Sequence, residues 1–147
     1  LFVCLGNICR SPMAEGLFRA RVDEDGMAER FIVQSAGTAA YHVGELADPR
    51  TRAVLRQRGI ELRSPARRVA EADFAQFDWI LAMDGSNLEN LRRRCPARFR
   101  TKLHRVLDPI DGGDVEDPYY GGPSGFDRNC EQLLAAFDVW LPRMLGG

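Results

Sequence analysis

Apolar and polar positions change period along the chain, and the changes mark elements. Leu1-Phe2-Val3 is a short apolar run that predicts a buried strand with Cys4 at its carboxyl end. After Ser11 and Pro12, the residues Met13, Ala14, Leu17, Phe18 and Val22 recur at helical spacing until Gly26 interrupts them. Phe31-Ile32-Val33 predicts a second strand, and Asp48-Pro49 opens a second helix that Gly59 closes. Residues 78–83, "DWILAM", are the strongest strand run, and Ser86 with Glu89 predicts a capping box for a helix reaching about Cys95. Residues 103–107 predict a fourth strand. From Ser124 onward, Phe126, Cys130, Leu133, Leu134, Phe137, Leu141 and Met144 form one apolar stripe, which predicts a long helix laid on the core.

Strands alternating with helices predict an α/β fold. It is a single domain over residues 1–147, with a four-stranded, mostly parallel sheet, right-handed crossovers and helices on both faces. Ligands of such sheets bind outside the carboxyl ends of the strands. Cys4 stands on that edge, and "DGGDVEDPYYGGPSG" (Asp111–Gly125), which follows the last predicted strand, emerges on it too.

With 147 residues, 45% of them hydrophobic, the chain has the size of one ordinary domain. A net charge of −1 gives no support to a nucleic-acid partner. The runs Arg92-Arg93-Arg94 and Arg67-Arg68 read as solvated helix faces. Only Lys102 is a lysine among 20 Lys and Arg residues, a bias that points to a GC-rich bacterial genome rather than to a function. No run of about 18 apolar residues could span a membrane, and "LFVCLGNICRSP" lacks the features of a signal peptide. Cys4, Cys9, Cys95 and Cys130 read as reduced thiols of a cytoplasmic protein, although an export signal ahead of Leu1 stays open. No Cys or His cluster has zinc spacing, so no metal or cofactor is expected. His42 and His104 read as surface or packing residues.

The chemistry concentrates in "VCLGNICRSPMAEG", Val3–Gly16. Successive amides from Leu5 to Arg10, curling into a helix N-terminus, would aim several N–H donors at one spot and add the positive end of the helix dipole. Arg10 adds a planar fork that matches two phosphate oxygens. Gly6 allows close backbone approach, Asn7 can hold a left-handed turn, and the Ser11 hydroxyl can stabilise a thiolate at Cys4. Leu5, Ile8 and Cys9 complete the loop. A thiolate beneath an anion cradle suits attack on phosphorus, and the leaving oxygen then needs an acid from the same edge. Asp117 is preferred because Pro118 stiffens its loop and the nearby glycines permit closure; Asp111, Asp114 and Glu116 compete with it on spacing alone. Cys9 is either a small packing residue or a thiol able to form a disulfide with Cys4.

The chain resembles the low-molecular-weight protein tyrosine phosphatases. The residues that carry the likeness are the opening motif, "SAGT" at Ser35–Thr38, "YHVGELADPR" at Tyr41–Arg50, "MDGSNL" at Met83–Leu88 and "DPYYG" at Asp117–Gly121. The resemblance implies Cys4 as nucleophile, Arg10 as phosphate clamp and Asp117 as general acid, with Asn7 and Ser11 shaping the loop. It implies Tyr119 and Tyr41 as aromatic walls, Tyr41 standing where members often carry Trp, with Tyr120 on the rim. Asp84 either supports the loop or caps the helix beginning near Ser86. The implied partners are phosphotyrosine-containing proteins, met by a monomer or weak homodimer. Arsenate reductases share such a loop but need a relay of further thiols, and a phosphopeptide-binding module would need only the cradle. Some relatives act on phosphoarginine and carry Thr at the position of Ile8, whose purely apolar side chain favours a phenyl ring.

Overall fold

A computed structural model describes residues 1–146. Its four strands are β1 (Phe2–Cys4), β2 (Ser35–Gly37), β3 (Ile80–Ala82) and β4 (Leu103–Arg105), each three residues long. They form one sheet in the order β2-β1-β3-β4, and all three pairings are parallel. The five helices are α1 (Arg10–Glu24), α2 (Pro49–Gln57), α3 (Glu71–Gln76), α4 (Gly85–Arg94) and α5 (Ser124–Met144).

Two cores show the helices on both faces. Phe2, Cys4, Leu81 and Met83 belong to a cluster with residues of α1, α2 and α5, whereas Leu1, Val3, Ile80 and Ala82 pack with α3 and α4. Neighbouring residues along β1 and β3 therefore face opposite layers, as the two-residue strand period requires. The larger core centres on Phe2, Phe18 and Phe137, whose ring centroids lie 5.1–5.6 Å apart. β1 is flanked by β2 on one side and β3 on the other, so the connection from β1 to β2 runs one way and the connection from β2 passes β1 to reach β3 on the other side. Its carboxyl end is thus the topological switch point, where the ends of neighbouring connections splay and leave a crevice. Cys4 occupies it.

Several boundaries differ from the sequence pattern. The second strand is Ser35–Gly37, not Phe31–Val33. Phe31 anchors on Phe18 with centroids 5.5 Å apart, Ile32 is 79% exposed, and contact with β1 begins only where Phe2 N–H donates to Gln34 O at 3.0 Å. Small side chains hide this strand from an apolarity scan because the site leaves no room for larger ones. A Cβ on Gly37 would lie 2.7 Å from the Leu5 carbonyl oxygen. Helix α4 starts at Gly85 and its cap is Asp84 rather than Ser86, with Asp84 Oδ1 accepting from Asn87 N–H at 2.7 Å. Helix α3 has no counterpart in the pattern; at six residues it is too short to show a period. Arg67 is not on a helix but pairs with buried Asp73 at 2.8 Å, and Arg94 donates to Val69 O at 2.8 Å, so neither belongs to a solvated face. His104 lies between Trp79 and Trp140, at ring distances of 5.7 and 5.2 Å, as a packing residue.

Candidate active site

The segment between β1 and α1 is bound to the protein by its carbonyls and side chains. Cys4 O accepts from Thr38 N–H, Leu5 O from Ala39 N–H and Ile8 O from Asp48 N–H, all at 2.8–3.0 Å. Among the described residues the amides of residues 5–10 donate to no group of the chain. A run of amides without partners at a helix N-terminus is able to receive an anion. Asn7 makes the turn possible by taking φ 57°, as Asn tolerates.

Asn7 also organises a buried polar chain. Its Nδ2 donates to Ser11 Oγ at 2.8 Å and to Ser35 Oγ at 2.9 Å, and its Oδ1 accepts from Arg67 N–H at 3.0 Å. Ser35 Oγ in turn donates to Glu15 Oε1 at 2.7 Å. Ser11 Oγ, accepting from Asn7, lies 3.0 Å from Cys4 Sγ and 3.5 Å from Ala36 O, the two acceptors within reach of its hydroxyl. The buried chain thus runs from Glu15 through Ser35, Asn7 and Ser11 to the sulfur of Cys4. Glu15 is 2% exposed and is satisfied at its other oxygen by Ser64 Oγ and Arg19, at 2.7 and 2.8 Å.

Arg10, in the first turn of α1, is 3% exposed. Its Nη1 donates to Asp84 Oδ2 at 2.7 Å and to Val115 O at 2.9 Å, and its Nη2 lies 3.8 Å from Asp117 Oδ2. Burial alone would lower its pKa, but the negative charge at Cys4, the hydrogen bond to Asp84 and the charges of Asp84 and Asp117 outweigh it and raise it. Asp84 thus serves both roles expected of it, with Oδ1 on the helix and Oδ2 on Arg10. Cys9 is the N-cap residue of α1, without a side-chain cap bond. Burial, with the nearby charges of Asp48, Cys4 and Asp117, pushes its thiol up to about 12.

Above the loop lies a cavity of about 290 Å³ lined by Cys4, Leu5, Gly6, Ile8, Cys9, Arg10, Tyr41, His42, Asp117, Tyr119 and Tyr120. The structure thereby brings together the loop, Asp117 and the three tyrosines. Tyr119 and Tyr120 meet edge to face at 4.9 Å, and Tyr120 is 95% exposed, at the outer rim. The competing carboxylates Asp111, Asp114 and Glu116 do not line this cavity; Asp114 accepts from Gly85 N–H at 3.0 Å, and Asp111 accepts from Gly113 N–H at 2.8 Å. His42 is a wall residue that the sequence did not mark as one; its Nδ1 is 2.9 Å from Glu45 Oε2, and its ring lies over Gly6. Ser35 and Glu15 stood inside quoted motifs, but nothing in their spacing revealed that they meet. Cys95 and Cys130 are buried at the end of α4 and within α5, away from the cavity. Among the described residues no group of three metal-ligating side chains occurs, and no helix is long and apolar enough to cross a membrane.

Fold and site together define an α/β protein whose first βα connection carries amides without partners in the chain, in a cavity shared with the thiol of Cys4 and the carboxyl group of Asp117. The family model for low molecular weight phosphotyrosine protein phosphatases matches residues 1–145. A low molecular weight phosphotyrosine protein phosphatase of Schizosaccharomyces pombe is 49% identical over 138 residues, covering 91% of this chain and 88% of that one. A crystal structure of a protein tyrosine phosphatase from Entamoeba histolytica, with Hepes in its active site, superposes with a TM-score of 0.94 at 41% identity, covering 99% and 96% of the two chains. An arginine phosphatase from Drosophila superposes with a TM-score of 0.85 at 30% identity, covering 97% and 95%. The chain belongs to the low molecular weight phosphotyrosine protein phosphatase family.

Proposed function

We propose that this chain is one phosphatase domain that hydrolyses phosphotyrosine in proteins through a phosphocysteine intermediate. The observation that carries the reading is the cavity that joins Cys4, Arg10 and Asp117, of which the last is 113 positions from the first. Cys4 Sγ attacks phosphorus; the S–P bond forms as the bond from phosphorus to the tyrosyl oxygen breaks. Asp117 gives its proton to the departing phenolate, then takes one from the water that cleaves the S–P bond and releases phosphate. The loop amides and Arg10 hold the equatorial oxygens, where charge accumulates.

Tyr41, Tyr119 and Ile8 make an apolar slot above the cradle that suits a phenyl ring. Arsenate reduction through a thiol relay has no support here, because Cys95 and Cys130 are buried on other elements. The test uses a phosphotyrosine peptide. Cys4→Ser should abolish turnover while retaining oxyanion binding, and Asp117→Asn should lower kcat/KM by about 10²–10⁴. A Cys4→Ser protein that keeps more than a small fraction of the wild-type rate overturns the mechanism.

A further inference from the structure

One side chain ties the scaffold of the phosphate loop to the loop that bears Asp117. The N-terminus of α2 is fixed to the phosphate loop, with Asp48 N–H donating to Ile8 O at 2.8 Å and Thr51 Oγ1 donating to Cys9 O at 3.2 Å. From this base Arg50 reaches across. Its Nε and Nη2 donate to Asp48 Oδ1 and Oδ2 at 3.0 and 2.9 Å, and its Nη1 donates to Tyr119 O at 3.1 Å. The guanidinium carbon lies 4.5 Å from the Phe126 ring centroid and 5.5 Å from that of Tyr119. Each of the three guanidinium nitrogens donates and the group lies against two rings, which fixes its direction as a flexible ammonium could not.

The Tyr119 residue it holds is the one that orients the carboxyl group. Tyr119 N–H donates to Asp117 Oδ1 at 3.1 Å, leaving Oδ2 toward Arg10. Among the described residues, the bond from Arg50 is the one hydrogen bond that reaches residues 116–121 from elsewhere in the chain. We propose that Arg50 is a positioning residue for general-acid catalysis, holding Asp117 Oδ2 over the cradle through the Tyr119 backbone. This rests on the phosphatase reading above. A role confined to capping α2 would stabilise the fold without acting on proton transfer.

Leaving-group dependence separates the two roles. Phenyl phosphate releases a phenol with a pKa near that of tyrosine, about 10, and needs the acid. A fluorinated umbelliferyl phosphate releases a far more acidic group and needs it much less. Arg50→Met keeps an apolar stem over Phe126 and removes the donors. Its kcat/KM should fall about tenfold or more on phenyl phosphate and within about twofold on the fluorinated substrate, and the variant should cause no further loss in an Asp117→Asn background. Arg50→Gln, made in parallel and checked with Arg50→Met by thermal unfolding, should reproduce the pattern. Equal losses on the two substrates, or full additivity with Asp117→Asn, would overturn the assignment. Wild-type protein that hydrolyses neither substrate would instead overturn the phosphatase reading on which it stands.

Discussion

Asp84 offers a quantitative test, because its two oxygens serve different masters. Oδ1 caps α4 and Oδ2 faces Arg10. Asp84→Asn keeps an oxygen for the Asn87 amide, and Asn caps helices about as well as Asp, so the helix should lose little. It does remove the carboxylate from a guanidinium that is 3% exposed, a charge-assisted hydrogen bond of about 1.5–3 kcal/mol. Val115 O still accepts from the same Nη1, which keeps the loss near the lower end, about 2 kcal/mol. Asp84→Ala removes the cap as well, adding about 1 kcal/mol for a total near 3. Catalysis should respond differently from stability. Arg10 loses the same anchor in both variants, so kcat/KM on a phosphotyrosine peptide should drop by a similar factor, roughly 10–10². Urea unfolding and steady-state kinetics on the two variants and the wild type decide the matter. Equal stability of the Asn and Ala variants would refute the cap, and wild-type kcat/KM in Asp84→Asn would refute the bracing of Arg10.

Other expectations are equally direct. Burial pushes the Cys95 and Cys130 thiols up and Cys9 to about 12, so at pH 6 iodoacetate should label Cys4 far faster than the other three and vanadate should protect it; equal labelling would count against an activated loop. Gly37→Ala places a methyl 2.7 Å from Leu5 O, and the shift it forces should cost about 1–3 kcal/mol of stability and weaken vanadate binding; a variant that matches wild type in both would show that the contact relaxes freely. Burial, chiefly, lowers the pKa of His104, so the unfolded chain takes up its proton first and stability should decline as pH falls below about 6.5. Denaturation midpoints at pH 7.5 and 5.5 should differ less in His104→Phe, and an unchanged difference would remove His104 as the cause. Phosphotyrosine should be preferred over phosphoarginine by at least about tenfold, ~1.4 kcal/mol or more, and Ile8→Thr should narrow the ratio in matched peptides; equal wild-type rates on the two, or a ratio indifferent to that change, would exclude Ile8 as the discriminator.

Legibility differed between elements for physical reasons. Long amphipathic segments announced themselves: the stripe from Phe126 to Met144 is α5, and Asp48-Pro49 with Gly59 bounds α2, where Asp48 accepts from Arg50 N–H at 2.8 Å. The loop could be read too, because its chemistry is local and its turn depends on Asn7, the one non-glycine residue among those described that takes a left-handed conformation. Strand β2 could not, since its Gly37 answers to the close approach of Leu5 and its Ser35 to bonds with Asn7 and Glu15 rather than to strand propensity. Long-range polar partners were equally silent. The meeting of Ser35 with Glu15, or of Arg50 with Tyr119 O, is created by the sheet order and leaves no periodic trace.

The groups of this site are divided unevenly along the chain. On the reading above, what grips a phosphate lies in residues 4–10 and is braced by buried neighbours, whereas the proton donor arrives on a separate, exposed segment, with Asp117 itself 44% exposed. The grip on the phosphate and the donor of the proton are thus written in different places and can drift independently. A lineage that lost Asp117 would keep its grip on phosphotyrosine while turning it over slowly, and would pass from erasing the signal to reading and shielding it. Loss of Asn7 or Arg10 offers no such intermediate, because the cradle fails together with the chemistry.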